Sequence, residues 1–376
     1  MADPTSPPAI PARAVDASIF IATILGIVAL IAVMLSFDLF LARIDRSESD
    51  GHAADEYREG VHLLQLGRAS DALERFASAT AIDRQNVTYA LALGDAMLRA
   101  GRISEADATL RALLDRAEND GAVNLTMAHV MIREGKDHDA KAYFHRAIFG
   151  QWGADSLERR TQVRFELIDL LARRGDTREL LAELLPFEEV SPDSLALRRR
   201  LGALFLRAGS PARAANMFRQ VVRRDPSDAD SYAGLGEAAL ALGNFHAART
   251  DFLEAERLRP DDARLNARRA LTDTVMALDP TARGIGAAAR SARSQTLLAR
   301  TLFAVNACAA PPPALADSAR SLLAAPARRS AANTPDEAAG EAMLGVAVDL
   351  WSSRPPSCDR TNPDEALRLV QLRLTQ

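Results

Sequence analysis

Apolar residues follow two different patterns along the chain. Residues 19–37, IFIATILGIVALIAVMLSF, form an uncharged run of nineteen, closed by Asp38 before LFLA. About 20 apolar residues span the roughly 30 Å core of a bilayer as a helix. The run therefore predicts a transmembrane anchor over residues 18–42, against the alternative of a helix buried in a soluble body. It is too long for the apolar core of a cleaved leader, and LARIDRSE beyond it is a poor cleavage site. The Pro- and Ala-rich residues 1–17 predict a disordered tail. From residue 53 the pattern changes, and small and bulky residues return on a fixed period.

That period is 34 residues, with units beginning at 53, 87 and 121 and, after a six-residue insertion, at 161, 195 and 229. Position 8 of the unit holds Gly60, Gly94, Ala128, Ile168, Gly202 and Gly236. Position 15 holds Gly67, Gly101, Gly135, Gly175, Gly209 and Gly243. Position 20 is Ala72, Ala106, Ala140, Leu180, Ala214 and Ala248, and position 24 is Phe76, Leu110, Phe144, Leu184, Phe218 and Phe252. Pro192, Pro226 and Pro260 stand at position 32, and a partial seventh unit from 263 has Ala270 at position 8.

Each column has a physical reading. Gly tolerates the positive φ that ends a first helix, helix A. Small residues at positions 8 and 20 let helix A approach the second helix, helix B. A bulky residue at position 24 fills space between neighbouring units, and Pro stops helix B. Ile168 and Leu180 break the small-residue rule, so the helices of the fourth unit are expected to sit further apart.

These columns and their period resemble the tetratricopeptide repeat. The resemblance implies an all-α, right-handed superhelical solenoid over residues 53–280, with helix A lining the concave face and positions 2, 5, 9, 12 and 13 turned toward it. Position 13 reads Gln65, Arg99, Arg133, Arg173, Arg207 and Ala241, and position 9 includes Asp95, His129, Asp169 and Glu237. Arg99, Arg133, Arg173, Arg207, Asp95, His129 and Asp169 are thus the candidate peptide-binding residues. Successive guanidiniums suit carboxylates through paired hydrogen bonds. The competing account of the same column is a cation in the last turn of helix A, favoured by the helix dipole. The Lys/Asn set with which some family members clamp a chaperone's C-terminal carboxylate is not reproduced. Trp152, in the insertion FGQWGADSLERR, is either an exposed anchor for a partner or a ring packed back on the repeats.

Residues 281–376 depart from the repeat and read as a C-terminal helical cap. Helical runs ARSQTLLARTLFAVNACA, ALADSARSLLAA, AAGEAMLGVAVDLWSS and NPDEALRLVQLRL are separated by PPP at 311–313, the linker PARRSAANTPDE and Pro355-Pro356, with Asn362 a candidate cap for the last. The two cysteines, Cys308 and Cys358, bracket this region. They form either one disulfide, which needs an oxidising compartment, or two unrelated thiols.

Composition then narrows the function. Aromatic residues are 5% of the chain and the net charge is -4, which argues against a sheet protein and against nucleic acid as ligand. Nearly all cations are arginine, with only Lys136 and Lys141 besides. His129, His138 and His145 lie near Asp137 and Asp139 but lack metal-site spacing. No P-loop, G-x-S-x-G or dinucleotide turn occurs, and GIGAAA at 284–289 follows no strand, so no catalytic residue, metal or cofactor is expected. Arg43, Arg46 and Arg58 after the apolar run outnumber Arg13 before it, leaning toward a cytoplasmic body. The cysteine pair points instead to a single-pass inner-membrane protein with an extracytoplasmic body. By resemblance the expected role is a non-enzymatic, membrane-anchored scaffold for a protein or peptide partner. The alternative is an accessory subunit of a membrane complex for cytochrome maturation or envelope assembly.

Overall fold

The computed structural model describes residues 17–324, 337–355, 357–358 and 364–375. The tail before Ala17, most of the linker and Asn362 lie outside the described residues. All regular elements among those described are helical. They divide into two compact units, with the division between Leu167 and Ile168.

In the first unit, α1 (Ala17–Gln65) is one uninterrupted helix of 49 residues. It contains the apolar stretch Thr23–Leu41, none of it buried, and continues through the polar segment into helix A of the first repeat. The sequence reading set anchor and first repeat apart, whereas the structure joins them. The joining residues contain no proline, and the lone Gly51 within a helix costs about 1 kcal/mol. Helices α2 (Ala69–Ile82), α3 (Val87–Arg99), α4 (Ile103–Leu114), α5 (Gly121–Arg133) and α6 (Asp137–Phe149) complete three A/B pairs. The division between units falls inside α7 (Ser156–Arg174). The second unit continues with α8 (Thr177–Val190), α9 (Leu195–Arg207), α10 (Pro211–Arg224), α11 (Ala229–Ala241), α12 (Phe245–Leu258) and α13 (Ala263–Leu278).

Every position-15 glycine has positive φ, from 69° at Gly243 to 79° at Gly101. Around Gly101 the helix end is closed by Gly101 N–H to Leu98 O (3.2 Å) and Arg102 N–H to Met97 O (2.9 Å), the paired bonds of a Schellman motif. The start of helix A is set by a column absent from the sequence reading. Position 34 carries Asn86, Asp120, Ser194, Asp228 and Asp262, and each side chain accepts a backbone N–H of the helix that follows. Asn86 and Asp120 cap in the two units whose endings, DRQN and RAEND, lack the usual proline.

Packing follows the other columns. A Cβ on Gly60 would lie 2.6 Å from Phe76 Cε1, and one on Gly236 would lie 2.7 Å from Phe252 Cζ, so the position-24 ring rests on the position-8 glycine of its own unit. Phe218 also reaches the next unit, where a Cβ on Gly234 would be 2.4 Å from its Cζ. Phe76, Phe144 and Phe252 are fully buried, as are Ala72, Ala106 and Ala140 at position 20. Burying each ring contributes about 1.5–3 kcal/mol. Ile168 and Leu180 are buried as well.

Trp152 packs back on the repeats. Its Nε1 donates to Ala147 O (2.7 Å), and its ring covers Gly121, where a Cβ would fall 2.2 Å from Cε2. The insertion is tied to the start of α5 by Gly121 N–H to Gln151 O (2.8 Å) and Gln151 N–H to Asn119 O (2.7 Å).

The tail forms α14 (Ala287–Cys308), α15 (Pro313–Ala324), α16 (Glu337–Ser353) and α17 (Glu365–Leu374). The N-cap of α17 is Asp364, whose carboxylate accepts the Leu367 N–H. One apolar core runs from the last repeats into the tail, with Phe252, Val275, Leu297, Leu350, Trp351 and Leu367 among its members. A disulfide joins Cys308, at the end of α14, to Cys358 beyond α16, with Cα atoms 5.6 Å apart.

Candidate partner-binding groove

Helix A carries the face of interest, and in the first unit that face is open. The C-terminal part of α1, with α3 and α5, frames a cleft of about 380 Å³. Its walls are Tyr57, Val61 and Leu64 from α1, Leu91, Asp95 and Arg99 from α3, and Leu125 and His129 from α5. These fall at positions 5, 9, 12 and 13 of their units. Tyr57 stacks at 5.7 Å from Phe76 and 5.2 Å from Tyr89 (ring centroids), which fixes the floor at one end. Asp95, Arg99 and His129 are therefore brought together on one surface.

The charges on this face are arranged by a rule the sequence reading missed. Position 9 of one repeat pairs with position 6 of the next. His129 Nε2 meets Glu166 at 2.6 Å, Asp169 meets Arg200 at 2.5 Å, and Glu237 meets Arg268 at 2.5 Å. The last two pairs are 31 residues apart and the first 37, the six-residue insertion making up the difference. Recurrence of opposite charges at a 31-residue offset was the signal available in the sequence. Asp95 departs from the rule, because position 6 of the next repeat is Thr126, whose hydroxyl donates to Ala122 O. Asp95 instead accepts from Arg99 on its own helix at 2.8 Å.

The arginine column is not four equivalent guanidiniums. Arg99 and Arg133 belong to the first unit, Arg173 and Arg207 to the second. Arg99 holds Asp95, and Arg207 donates to Ala172 O at 2.6 Å, satisfying a backbone carbonyl near the end of α7. Arg133 and Arg173 are exposed. Among the described residues no group of three or more His, Cys, Asp or Glu side chains is placed to hold a metal.

In the second unit the corresponding face of α13 is covered. Helix α17 runs alongside α13, with Arg268 donating to Glu365 at 2.8 Å near its start and Arg373 bound to the buried Asp279 near its end. A residual cleft of about 260 Å³ separates α17 from Glu237, Leu240 and Ala241, positions 9, 12 and 13 of α11. On the helix-B side, Asp251 of α12 lines a cleft with Arg219 and Tyr232, and burial pushes its carboxyl up to about 6.

Stacked A/B helix pairs with a lined A face define a helical-repeat protein. Family models described as tetratricopeptide repeat match residues 63–130 and 199–263. These two stretches, together about a third of the chain, are tetratricopeptide repeats. Over 248 residues the chain is 27% identical to the "Putative cellulose synthase operon protein C" of Escherichia coli O157:H7, covering 62% of this chain and 21% of that protein. The chain thus spans about a fifth of the length of that curated relative. A shorter stretch of 98 residues is 33% identical to tetratricopeptide repeat protein 37 of Xenopus laevis, covering 25% of this chain and 6% of that one. Among solved structures, the C-terminal part of a TPR repeat-containing protein of Cytophaga hutchinsonii aligns with a TM-score of 0.46 at 13% identity, covering 65% of this chain and 94% of that chain.

Proposed function

We propose that the protein is a membrane-anchored scaffold, without catalysis of its own, that recognises a protein partner through the helix-A face of its first unit. The open cleft on α1, α3 and α5 carries this reading. It combines half-buried apolar side chains with the charged pair Asp95–Arg99 and with His129, the mixture from which specific surfaces are built. The apolar stretch Thr23–Leu41 serves as a single span. From its end to Tyr57 the same helix rises about 24 Å, so the cleft stands close to the bilayer on a stiff stalk. The Cys308–Cys358 bond favours an oxidising compartment, hence an inner-membrane protein with its body outside the cytoplasm.

A second reading, an accessory subunit of an envelope-assembly complex, is favoured by the 27% identity to a relative named for a cellulose synthase operon. It predicts a stoichiometric partner that copurifies in detergent. The scaffold reading predicts a weaker, reversible partner. Both are tested by placing a photo-crosslinking residue at Leu91 or Leu125 in the cleft, or at the exposed Leu253 on α12, in intact membranes. Adducts from the cleft positions and not from Leu253, abolished by Leu64→Glu, support recognition through this face. Equal adducts from both faces, or none from the cleft, overturn it.

A further inference from the structure

The chain carries its own example of what a helix-A face holds. Helix α17 is ten residues long and amphipathic, burying Ala366, Leu367, Leu369 and Val370. It lies against α13, with the cleft between it and α11, and Glu365 is bound by Arg268. Arg268 also holds Glu237, the position-9 carboxylate, so the face presents a charge-neutralised seat to the helix that covers it.

The first unit has the same register without the helix. Val61, Leu64, Leu91 and Leu125 line an uncovered floor, and the position-9 carboxylate Asp95 has no arginine from the next repeat. Asp95 is half-buried, its side chain 29% exposed, while Arg99, which it borrows from its own helix, is 60% exposed. An exposed i,i+4 pair of this kind contributes only about 0.3–0.5 kcal/mol and exchanges readily. Covering Asp95 with an apolar surface would raise the cost of burying its charge, which a cation from the incoming partner offsets. Glu166, beside His129, adds a second carboxylate to the same rim.

We infer that the first unit's groove takes an amphipathic helix of a partner protein, about ten residues long, with its Leu/Val side on Leu64, Leu91 and Leu125 and a basic side chain on Asp95. This rests on the protein-recognition reading above and specifies the chemistry of the partner.

The test uses the full chain in detergent and a fluorescent peptide with the sequence of residues 364–375, which carries Arg368 and Arg373 on an amphipathic helix. A peptide of the same composition with the apolar periodicity scrambled is the comparison. Anisotropy should show micromolar binding of the first peptide and none of the second. Asp95→Arg should weaken binding roughly tenfold, about 1.4 kcal/mol, as should Leu125→Glu. A peptide with both arginines changed to Glu should recover binding to Asp95→Arg, an outcome that a misfolded variant does not give. Equal binding of the scrambled peptide, indifference to Asp95→Arg and Leu125→Glu, or sensitivity to Glu237→Gln instead overturns the inference. No binding overturns it too. If crosslinks from the cleft persist in that case, protein recognition stands and the helical partner alone is wrong.

Discussion

Phe218 is pinned between two glycines, and that makes the inter-repeat contact measurable. A Cβ built on Gly202 would lie 2.8 Å from its ring, and one on Gly234, in the next repeat, 2.4 Å from Cζ. The ring is 3% exposed. For Gly234→Ala two effects compete. Alanine in mid-helix gains about 1 kcal/mol over glycine. Overpacking a filled core costs about 1–3 kcal/mol, and Phe218 cannot retreat from Gly234 without moving into Gly202. The clash should win by about 1 kcal/mol, lowering the melting temperature of the second unit by about 2–4 °C. Gly51→Ala, in α1 with nothing near its Cβ, should give the propensity gain alone. Removing the clash with Phe218→Leu should make Gly234→Ala neutral or favourable. A double-mutant cycle followed by circular dichroism and by hydrogen exchange in α10 and α11 should therefore show coupling above about 1 kcal/mol. Coupling within about 0.3–0.5 kcal/mol, the range of independent sites, or a Gly234→Ala protein more stable than the parent would refute the reasoning.

Three further outcomes are expected. Because burial raises the Asp251 carboxyl to about 6, the folded state holds that proton more tightly than the unfolded chain. The resulting stability is complete below the ordinary carboxylate range and is lost as pH rises through about 6. Asp251→Asn should then stabilise the second unit by about 1 kcal/mol near pH 8, after discounting for solvent screening, and by little near pH 4; equal effects at both would count against it. Opening the disulfide by Cys308→Ser and Cys358→Ser releases a 50-residue separation and should cost about 2–4 kcal/mol in the tail, read as faster proteolysis of α14–α17. In intact cells, a membrane-impermeant maleimide should label the cysteines only after reduction; labelling that needs lysis but no reductant would place the body in the cytoplasm.

The repeat was legible from sequence because its constraints are local and recur. Gly101 must take a positive φ to end α3, and Ala106 must be small where two helices cross, whatever partner or unit surrounds them. The same columns placed Asp95, Arg99 and His129 on one face, since a 34-residue period carries each helix A into the same orientation. Other features needed coordinates. That α1 runs unbroken from the apolar stretch into the first repeat depends on helix continuity through residues of middling propensity, which no single residue dictates. Trp152 could be assigned to the surface or the core only once Gly121 was seen beneath it. The exchange of partners along the A face, Glu237 with Arg268 but Asp95 with Arg99, arises between helices a repeat apart. The seating of α17 on α13 joins Arg268 to Glu365 across 97 residues. Periodicity decides which residues face the groove, because the backbone imposes it turn by turn. Which of them remain uncovered is decided by packing at long range, as where the tail of the chain settles on α13 in the second unit.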